Sequence, residues 1–491
     1  METVRIFVFP THIGVECSQY GDVLSGRGNI RQTLDKCKEF EFDKRIRKYR
    51  LMHRYYRYKF DVGQMVLPRH LLSETLRELA LQNIKTQVIE GNVVTPRRIF
   101  AKMNPNWQDR PEQEETIKHL TNCSIPMRCS DLQTGKGKTY AALKSMCCIG
   151  YATLIICDGL VEQWVREILE KTLIPEKDIC VLKGGNSVIR LMASEEKPSV
   201  IVASIDTLRS FAKGDCDPYC DLPSYAQFLE YFGIGTKIFD EFHLNFQTLV
   251  SIDLRSHVPN NLYLSATPKR SSGTQAALFK AFFPDEIIVG GGVYDKYVNV
   301  TFYSYGIEIH KETAFNTPHG YSHAKYEAYI ENNGMVKRRY LESVIYPTID
   351  MHYINKKSDG QKLLILCRTV SHCQMLQRYL EYKYDTLKVN TFTADDPEEN
   401  LTESDIIVST PSSCGTGKDI KKLRTVIQTC SISSEPLVEQ ILGRLRKLPT
   451  GETPEFVDIY NSNLHRHKAH YRTRSDIYKA RALYYTEHRL M

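Results

Sequence analysis

The chain reads as an α/β protein, with two parallel-sheet domains in tandem behind a smaller N-terminal α+β accessory module. The main observation behind this is two series of short β-branched and aliphatic runs separated by helical stretches. Strands buried on both faces and joined through helices build open parallel sheets. A second observation is a change of texture near Trp107: charge alternates with aromatic rings before it, and strand alternates with helix after it. The third is a Gly-rich loop at the head of the first series, Leu132-Gln-Thr-Gly-Lys-Gly-Lys-Thr139.

The totals agree with several domains. A length of 491 residues corresponds to about three by the length prior, and 42% hydrophobic with 25% charged residues is a globular balance. No apolar run approaches the roughly 20 residues that span a bilayer, and the start Met-Glu-Thr-Val-Arg lacks a signal-peptide pattern. The 14 cysteines are scattered, several inside apolar runs, which predicts a reducing, cytoplasmic setting. Cys216-x-x-x-Cys220 is a close pair without partners at zinc-finger spacing, so no finger is expected. The net charge of +7 is concentrated at the ends: Arg27 to Lys59 carries twelve Lys/Arg against four Asp/Glu, and His465 to Met491 seven against two. Such patches are the footprint of a polyanionic partner. The expected division is a basic nucleic-acid-binding module over 1–104, α/β domains over 105–292 and 293–464, and a basic helical tail over 465–491.

Within the module, Val4 to Phe9 predicts a strand. Tyr49 to Pro68 predicts an extended hairpin, and Leu71 to Ile84 an amphipathic helix with Leu72, Leu76, Leu79 and Leu81 on its apolar face. Arg50, Arg54, Tyr55, Tyr56, Arg57, Tyr58, Lys59 and Phe60 interleave cations with rings. That pattern suits a nucleic-acid strand, and it equally suits a solvated strand whose tyrosines pack on a small core.

The first strand series is Thr153 to Cys157, Asp178 to Leu182, Val200 to Ala203, Lys237 to Phe239 and Leu262 to Leu264. Ahead of it, residues 132–139 read as a phosphate-binding loop: Gly135 and Gly137 let the backbone curl, Lys138 reaches phosphate, and the Thr139 hydroxyl can ligate Mg²⁺. The helix that follows offers its N-terminus to the anion. Asp240-Glu241-Phe242-His243 closes the fourth strand, 102 residues after Lys138. A carboxylate at a strand's carboxyl end is placed to hold the metal, here Asp240, and Glu241 can position or deprotonate water. Ser265-Ala266-Thr267-Pro268 follows the fifth strand with small hydroxyls suited to sensing nucleotide state.

Gly290 to Gly292 and the Asn/Gly/His-rich stretch from Asn316 to Gly334 read as a linker with an insertion. The second series is Lys362 to Cys367, Leu387 to Phe392, Asp405 to Ser409, Thr425 to Cys430 and Phe456 to Tyr460. An exposed amphipathic tail helix would turn Ile477, Ala480, Leu483 and Tyr484 inward.

The loop at 135–139, the Asp240-Glu241-Phe242-His243 tetrad and Ser265-Ala266-Thr267 resemble motifs I, II (the DExH form) and III of superfamily 2 helicases. Arg110-Pro111-Glu112-Gln113 resembles the segment in which a glutamine reads adenine, and Leu154 to Trp164 resembles motif Ia, with Asp158 at a position usually proline. Leu363 to Arg368 resembles motif IV, Ser409 to Ile420 with Gly415, Gly417 and Asp419 motif V, and Gln440-Ile-Leu-Gly-Arg444-Leu-Arg446-Lys447 motif VI. Basic module, motif VI form and length look most like the UvsW-type and XPB-like branch-migrating DNA helicases.

The resemblance implies two RecA-like domains and an ATP-dependent DNA helicase or translocase remodelling branched DNA in recombination, replication and repair. The cofactors would be ATP and Mg²⁺. Nucleotide contacts would come from Arg110, Gln113, Thr134, Gly135, Lys136, Gly137, Lys138, Thr139, Gly417, Asp419, Arg444 and Arg446, with metal ligation by Thr139 and Asp240. Catalysis would rest on Lys138, Asp240, Glu241 and Arg444, and coupling on His243, Ser265, Thr267 and Gln440. Arg444 matches the first arginine finger, while the second falls on Lys447, with Arg446 one place early and, on a helix, about 100° away. Single-stranded and branched DNA are the expected partners of a monomer acting in the cytoplasm. An RNA helicase or transcript-release factor, a restriction-system motor and a non-catalytic binding protein are the alternatives.

Overall fold

The computed structural model describes residues 3–17, 29–43, 47–133, 135–159, 161–214, 224–265, 273–290, 295–309, 312–318, 320–414 and 420–490. The chain forms two compact units, Met1–Gly292 and Val293–Met491. No described helix is long and apolar enough to cross a membrane. The described cysteines are free thiols, and Cys216 and Cys220 lie outside the described residues.

The first unit opens with β1 (Thr3–Val8), β2 (His12–Glu16), β3 (Lys38–Asp43), β4 (Lys48–Arg54), β5 (Arg57–Lys59), β6 (Gln64–Pro68) and β7 (Lys85–Glu90). Five of these make a mixed sheet in the order β5-β6-β2-β1-β7, while β3 and β4 form a separate antiparallel pair. The continuous hairpin expected over 49–68 is therefore divided, because β4 pairs back onto β3 and β5 turns onto β6. Tyr55 is the cause. It turns inward at the break, 5% exposed, its hydroxyl donating to Glu39 Oε2 at 2.6 Å and its ring lying 5.2 Å from that of Phe246. The helix after β6 runs Leu72–Leu81. Leu79 is buried as expected, but Leu81 is exposed and Glu78 takes an inner position. Its carboxylate accepts the Gln32 and Thr33 amides and the Thr33 hydroxyl, at 2.8, 2.9 and 2.7 Å. It thereby satisfies N–H groups that the short helix Arg31–Asp35 cannot pair internally.

The next seven strands are β8 (Met127–Ser130), β9 (Thr153–Cys157), β10 (Ile179–Leu182), β11 (Val200–Ser204), β12 (Thr236–Asp240), β13 (Asn260–Leu264) and β14 (Ile288–Val289). They form one parallel sheet in the order β10-β11-β9-β12-β13-β8-β14, with apolar clusters on both faces. One of those clusters continues into the N-terminal module. Module and sheet are stitched by Thr11 Oγ1, which donates to the Asp253 and Ser256 carbonyls at 2.7 and 3.0 Å, and by Phe9 stacked 4.5 Å from His257.

The second unit holds β15 (Asn299–Tyr305), β16 (Asn316–Thr317), β17 (Gly320–Tyr321), β18 (Lys362–Leu366), β19 (Val389–Phe392), β20 (Ile406–Ser409), β21 (Leu423–Gln428), β22 (Glu455–Asn461) and β23 (Tyr484–Arg489). Seven make a parallel sheet in the order β19-β20-β18-β21-β22-β15-β23. The stretch expected as an inserted linker is instead structured: β16 and β17 form a small hairpin, and the helix His323–Asn332 buries Tyr326 and Ile330 in the core. The tail is helical only over His465–Arg481, and its last residues add β23 to the sheet beside β15. That helix does not turn Ala480, Leu483 and Tyr484 inward. Arg474, Ser475, Tyr478 and Ala482 are buried, because Arg474 forks onto Asp458 at 2.7 and 2.9 Å and sets the helical phase.

Candidate nucleotide site

The site of the first unit forms at the carboxyl edge of its sheet. Ser130 is in register with Leu264, and Leu264 with Asp240, so the ends of β8, β13 and β12 share that edge. The loop leaving β8 leads into the helix Lys138–Ile149. Gly137 caps this helix at φ 86°, a left-handed conformation that disfavours side chains. A Cβ there would also stand 2.1 Å from Gln113 Nε2. Glycine is therefore favoured at 137 by the backbone, and a side chain there would have to displace the Gln113 amide.

Gln113 explains that closeness. Its Nε2 donates to the Lys136 carbonyl at 2.9 Å and its Oε1 accepts from Arg110 N at 3.1 Å. The side chain is 2% exposed and ties the helix Pro111–Leu120 to the loop. These two bonds use one of the amide's two N–H donors and one of its two oxygen lone pairs. Arg110 is exposed at the head of the same helix.

The structure brings the loop and the acid pair together. Lys138 Nζ lies 2.9 Å from Glu241 Oε1. Asp240 accepts the Trp164 indole N–H at 2.9 Å through Oδ2. Burial, then the neighbouring Glu241 carboxylate, push the Asp240 carboxyl up to about 6, against the opposing pull of Lys138 and the indole. Trp164 was not foreseen in this role. Its signal was chemical, since a buried indole N–H requires an acceptor. Glu241 adopts φ 46°, left-handed for a residue with a Cβ, and its carbonyl accepts Leu244 N at 2.9 Å, closing a tight turn.

His243 and Ser265 also meet, with Nδ1 and Oγ 2.7 Å apart and both residues buried. Ser265 N donates to the Ser130 carbonyl at 3.0 Å, so the end of β13 is bonded to both the acid tetrad and the strand before the loop. Thr134, Thr267, Gly417 and Asp419 lie outside the described residues.

In the second unit, the helix Glu435–Leu442 ends before Arg444, so Arg444, Arg446 and Lys447 do not share a helical face. The angular separation expected for 446 and 447 does not apply. Arg444 and Gln440 are buried at 8% and 7% exposure, Arg446 donates to the Gly443 carbonyl, and Lys447 pairs with Asp295 at 2.8 Å.

The donor set fits a triphosphate carrying its own Mg²⁺. Such a metal takes one or two carboxylates and keeps phosphate and water oxygens for the rest, and the hydroxyl of Thr139 with the carboxylate of Asp240 would supply that kind of set. Among the described residues, no cluster of three or more His, Cys, Asp or Glu could hold a metal by protein ligands alone.

No family model and no curated protein matches the chain. Solved structures do. Mss116p bound to ssRNA and AMP-PNP is 16% identical, with TM-score 0.50 over 77% of this chain and 74% of that one. The ATP-dependent Type ISP restriction-modification enzyme LlaBIII bound to DNA is 11% identical, with TM-score 0.50 over 83% of this chain and 33% of that one. The fold is that of two RecA-like domains in tandem. T4 UvsW covers all of both chains at 14% identity and TM-score 0.36. At these identities the likeness establishes the RecA-like architecture, and the chemistry rests on the side chains at the edge of the first sheet.

Proposed function

We propose that this chain is an ATP-driven nucleic-acid motor, a helicase or translocase acting on branched DNA as a monomer. The ion pair of Lys138 with Glu241 carries this reading, because it joins the loop after β8 to the acid pair at the end of β12. On binding ATP, the Lys138 ammonium exchanges its carboxylate partner for β- and γ-phosphate oxygens. Thr139 and Asp240 would hold Mg²⁺, which would supply charge neutralisation at the phosphates. Glu241, released from Lys138, accepts a proton from the attacking water. His243 and Ser265 relay the state of the acid tetrad to the end of β13. Arg444 is assigned as the cation at the transferring phosphoryl group.

The basic strand β4 supports a nucleic-acid substrate, since Tyr49, Arg50 and Arg54 face solvent. Tyr55, in contrast, belongs to the core, so the interleaved pattern serves both purposes. Removing residues 1–100 would strip apolar surface from the first sheet as well, and point changes at Arg50 and Arg54 isolate binding more cleanly.

Lys138→Ala and Glu241→Gln are expected to lower ATP turnover by about a hundredfold or more, with nucleic-acid binding retained. Turnover within a few fold of wild type in either variant would remove the assignment. ATPase and strand separation compared on forked DNA, a four-way junction and an RNA duplex separate branched-DNA remodelling from RNA unwinding. A restriction motor would translocate on duplex without separating it.

A further inference from the structure

A cavity of about 480 Å³ opens in the first unit where the β3–β4 hairpin meets the helix Phe246–Asp253, which begins just after the acid tetrad. Its lining combines Glu39, His53 and Tyr55 from the hairpin side with Arg209, Asn245 and Gln247 from the sheet domain. This volume falls within the range of small-ligand sites. Glu39 and His53 are cross-strand partners, and the hairpin register shifts just after Glu39, a bulge of the kind that re-aims side chains.

The lining is chemically specific. Glu39 presents a carboxylate, which accepts hydrogen bonds from an exocyclic amino group and repels phosphate. Asn245 and Gln247 are amides able to meet a base edge. The Asn245 amide donates to Asp158 at 2.9 Å and its oxygen accepts from Arg209 at 3.3 Å. Gln247 Nε2 lies 2.9 Å from His53 Nδ1, bridging the two walls. Arg209 also bonds Thr248 at 2.8 Å and pairs with Asp206 at 2.9 Å, a cation beside the amides for which a backbone phosphate following an inserted base would compete with that carboxylate. Tyr49, Arg50 and Arg54 of β4 are exposed and available to the flanking strand.

We propose that this cavity receives one unpaired, amino-bearing nucleobase of a bound single strand, read by Glu39, Asn245 and Gln247. The inference rests on the motor reading for its substrate class and adds a site with a base preference. It also places an occupant against the turn that carries the acid pair. Asn245 ends the segment begun by left-handed Glu241 and closed by the bond from Leu244 N to the Glu241 carbonyl. A base held by Asn245 therefore bears on the backbone that aims Glu241.

The test uses the full chain and single-stranded oligonucleotides carrying one 2-aminopurine within dC or dT tracts. Wild type is expected to raise 2-aminopurine emission saturably and to bind dC and dA tracts more tightly than dT. Gln247→Ala and His53→Ala are expected to lose the emission rise and about tenfold in affinity. Glu39→Gln keeps an oxygen for the Tyr55 hydroxyl and is expected to lose the preference for dC over dT. Unchanged emission in folded Gln247→Ala, or equal binding of dC and dT by wild type, overturns the proposal. Gln247 is exposed, so this variant decides the matter even if His53→Ala fails to fold. ATP turnover in the same samples separates the two readings. Strand-stimulated turnover with unaltered variants rejects the cavity alone, whereas absent turnover in wild type rejects the motor.

Discussion

The two seven-stranded sheets can be compared strand by strand. Numbered by appearance within each sheet, both run 3-4-2-5-6-1-7, and all their pairings are parallel. Their charged groups are placed differently. In the first sheet, Asp240 ends its strand at the carboxyl edge, next to a carboxylate with left-handed backbone that is ion-paired with Lys138. In the second, Asp458 lies in the middle of β22, fully buried, forked by Arg474 and further bonded by Tyr478 at 3.1 Å. One frame thus supports two uses of a carboxylate: kept at an edge, it can exchange partners, and sealed inside, it fixes a helix.

Breaking the sealed pair gives the largest expected effect. Arg474→Ala strands a buried carboxylate and should cost about 3–5 kcal/mol of stability, read as a fall in the chemical-denaturation midpoint of the second unit. Lys138→Ala, at the open pair, should change that midpoint little. Equal destabilisation by both would erase the distinction.

Gly137→Ala sharpens the comparison at the open edge. The added Cβ meets Gln113 Nε2 and a positive φ, strain of order 1–3 kcal/mol. ATP affinity by titration should fall about tenfold to a hundredfold, with the second unit unaffected.

The smallest effect is a pH dependence. Asp240 has its carboxyl raised to about 6, so the folded state holds this proton more firmly than the unfolded chain does. Its contribution favours folding below the ordinary carboxyl range and is lost as pH rises through about 6. Metal ligation runs the other way and needs the carboxylate. The Mg²⁺-dependent part of ATP affinity should therefore weaken as pH falls below about 6, by up to tenfold per pH unit, while affinity measured without Mg²⁺ lacks that step.

Many of the strands of the two sheets, though not their order, were legible because buried strands announce themselves as apolar runs, and β9, β11, β12 and β18 sit where those runs are. β8, the strand next to the edge strand β14, was hidden by Arg128, a fully buried cation that donates to Asn260 at 2.8 Å. β23 was hidden because a polar edge strand, Tyr-Tyr-Thr-Glu-His-Arg, carries no aliphatic run. At the site, the loop and the acid pair were visible as spacing and residue type. Tertiary pairings were not: nothing local indicates that Trp164 bonds Asp240 or that Gln113 bonds the Lys136 carbonyl. The helical phase of the tail was misread for the same reason, since its one decisive bond reaches back to β22.

The left-handed backbone at Glu241 has a consequence for anyone selecting variants of this chain. A glycine there would relax roughly 1 kcal/mol of unfavourable geometry and remove the carboxylate in the same step. The same change leaves the largely buried Lys138 ammonium without that carboxylate, so relief of the turn and loss of the ion pair oppose each other, and heat-challenge selection should not enrich Glu241→Gly.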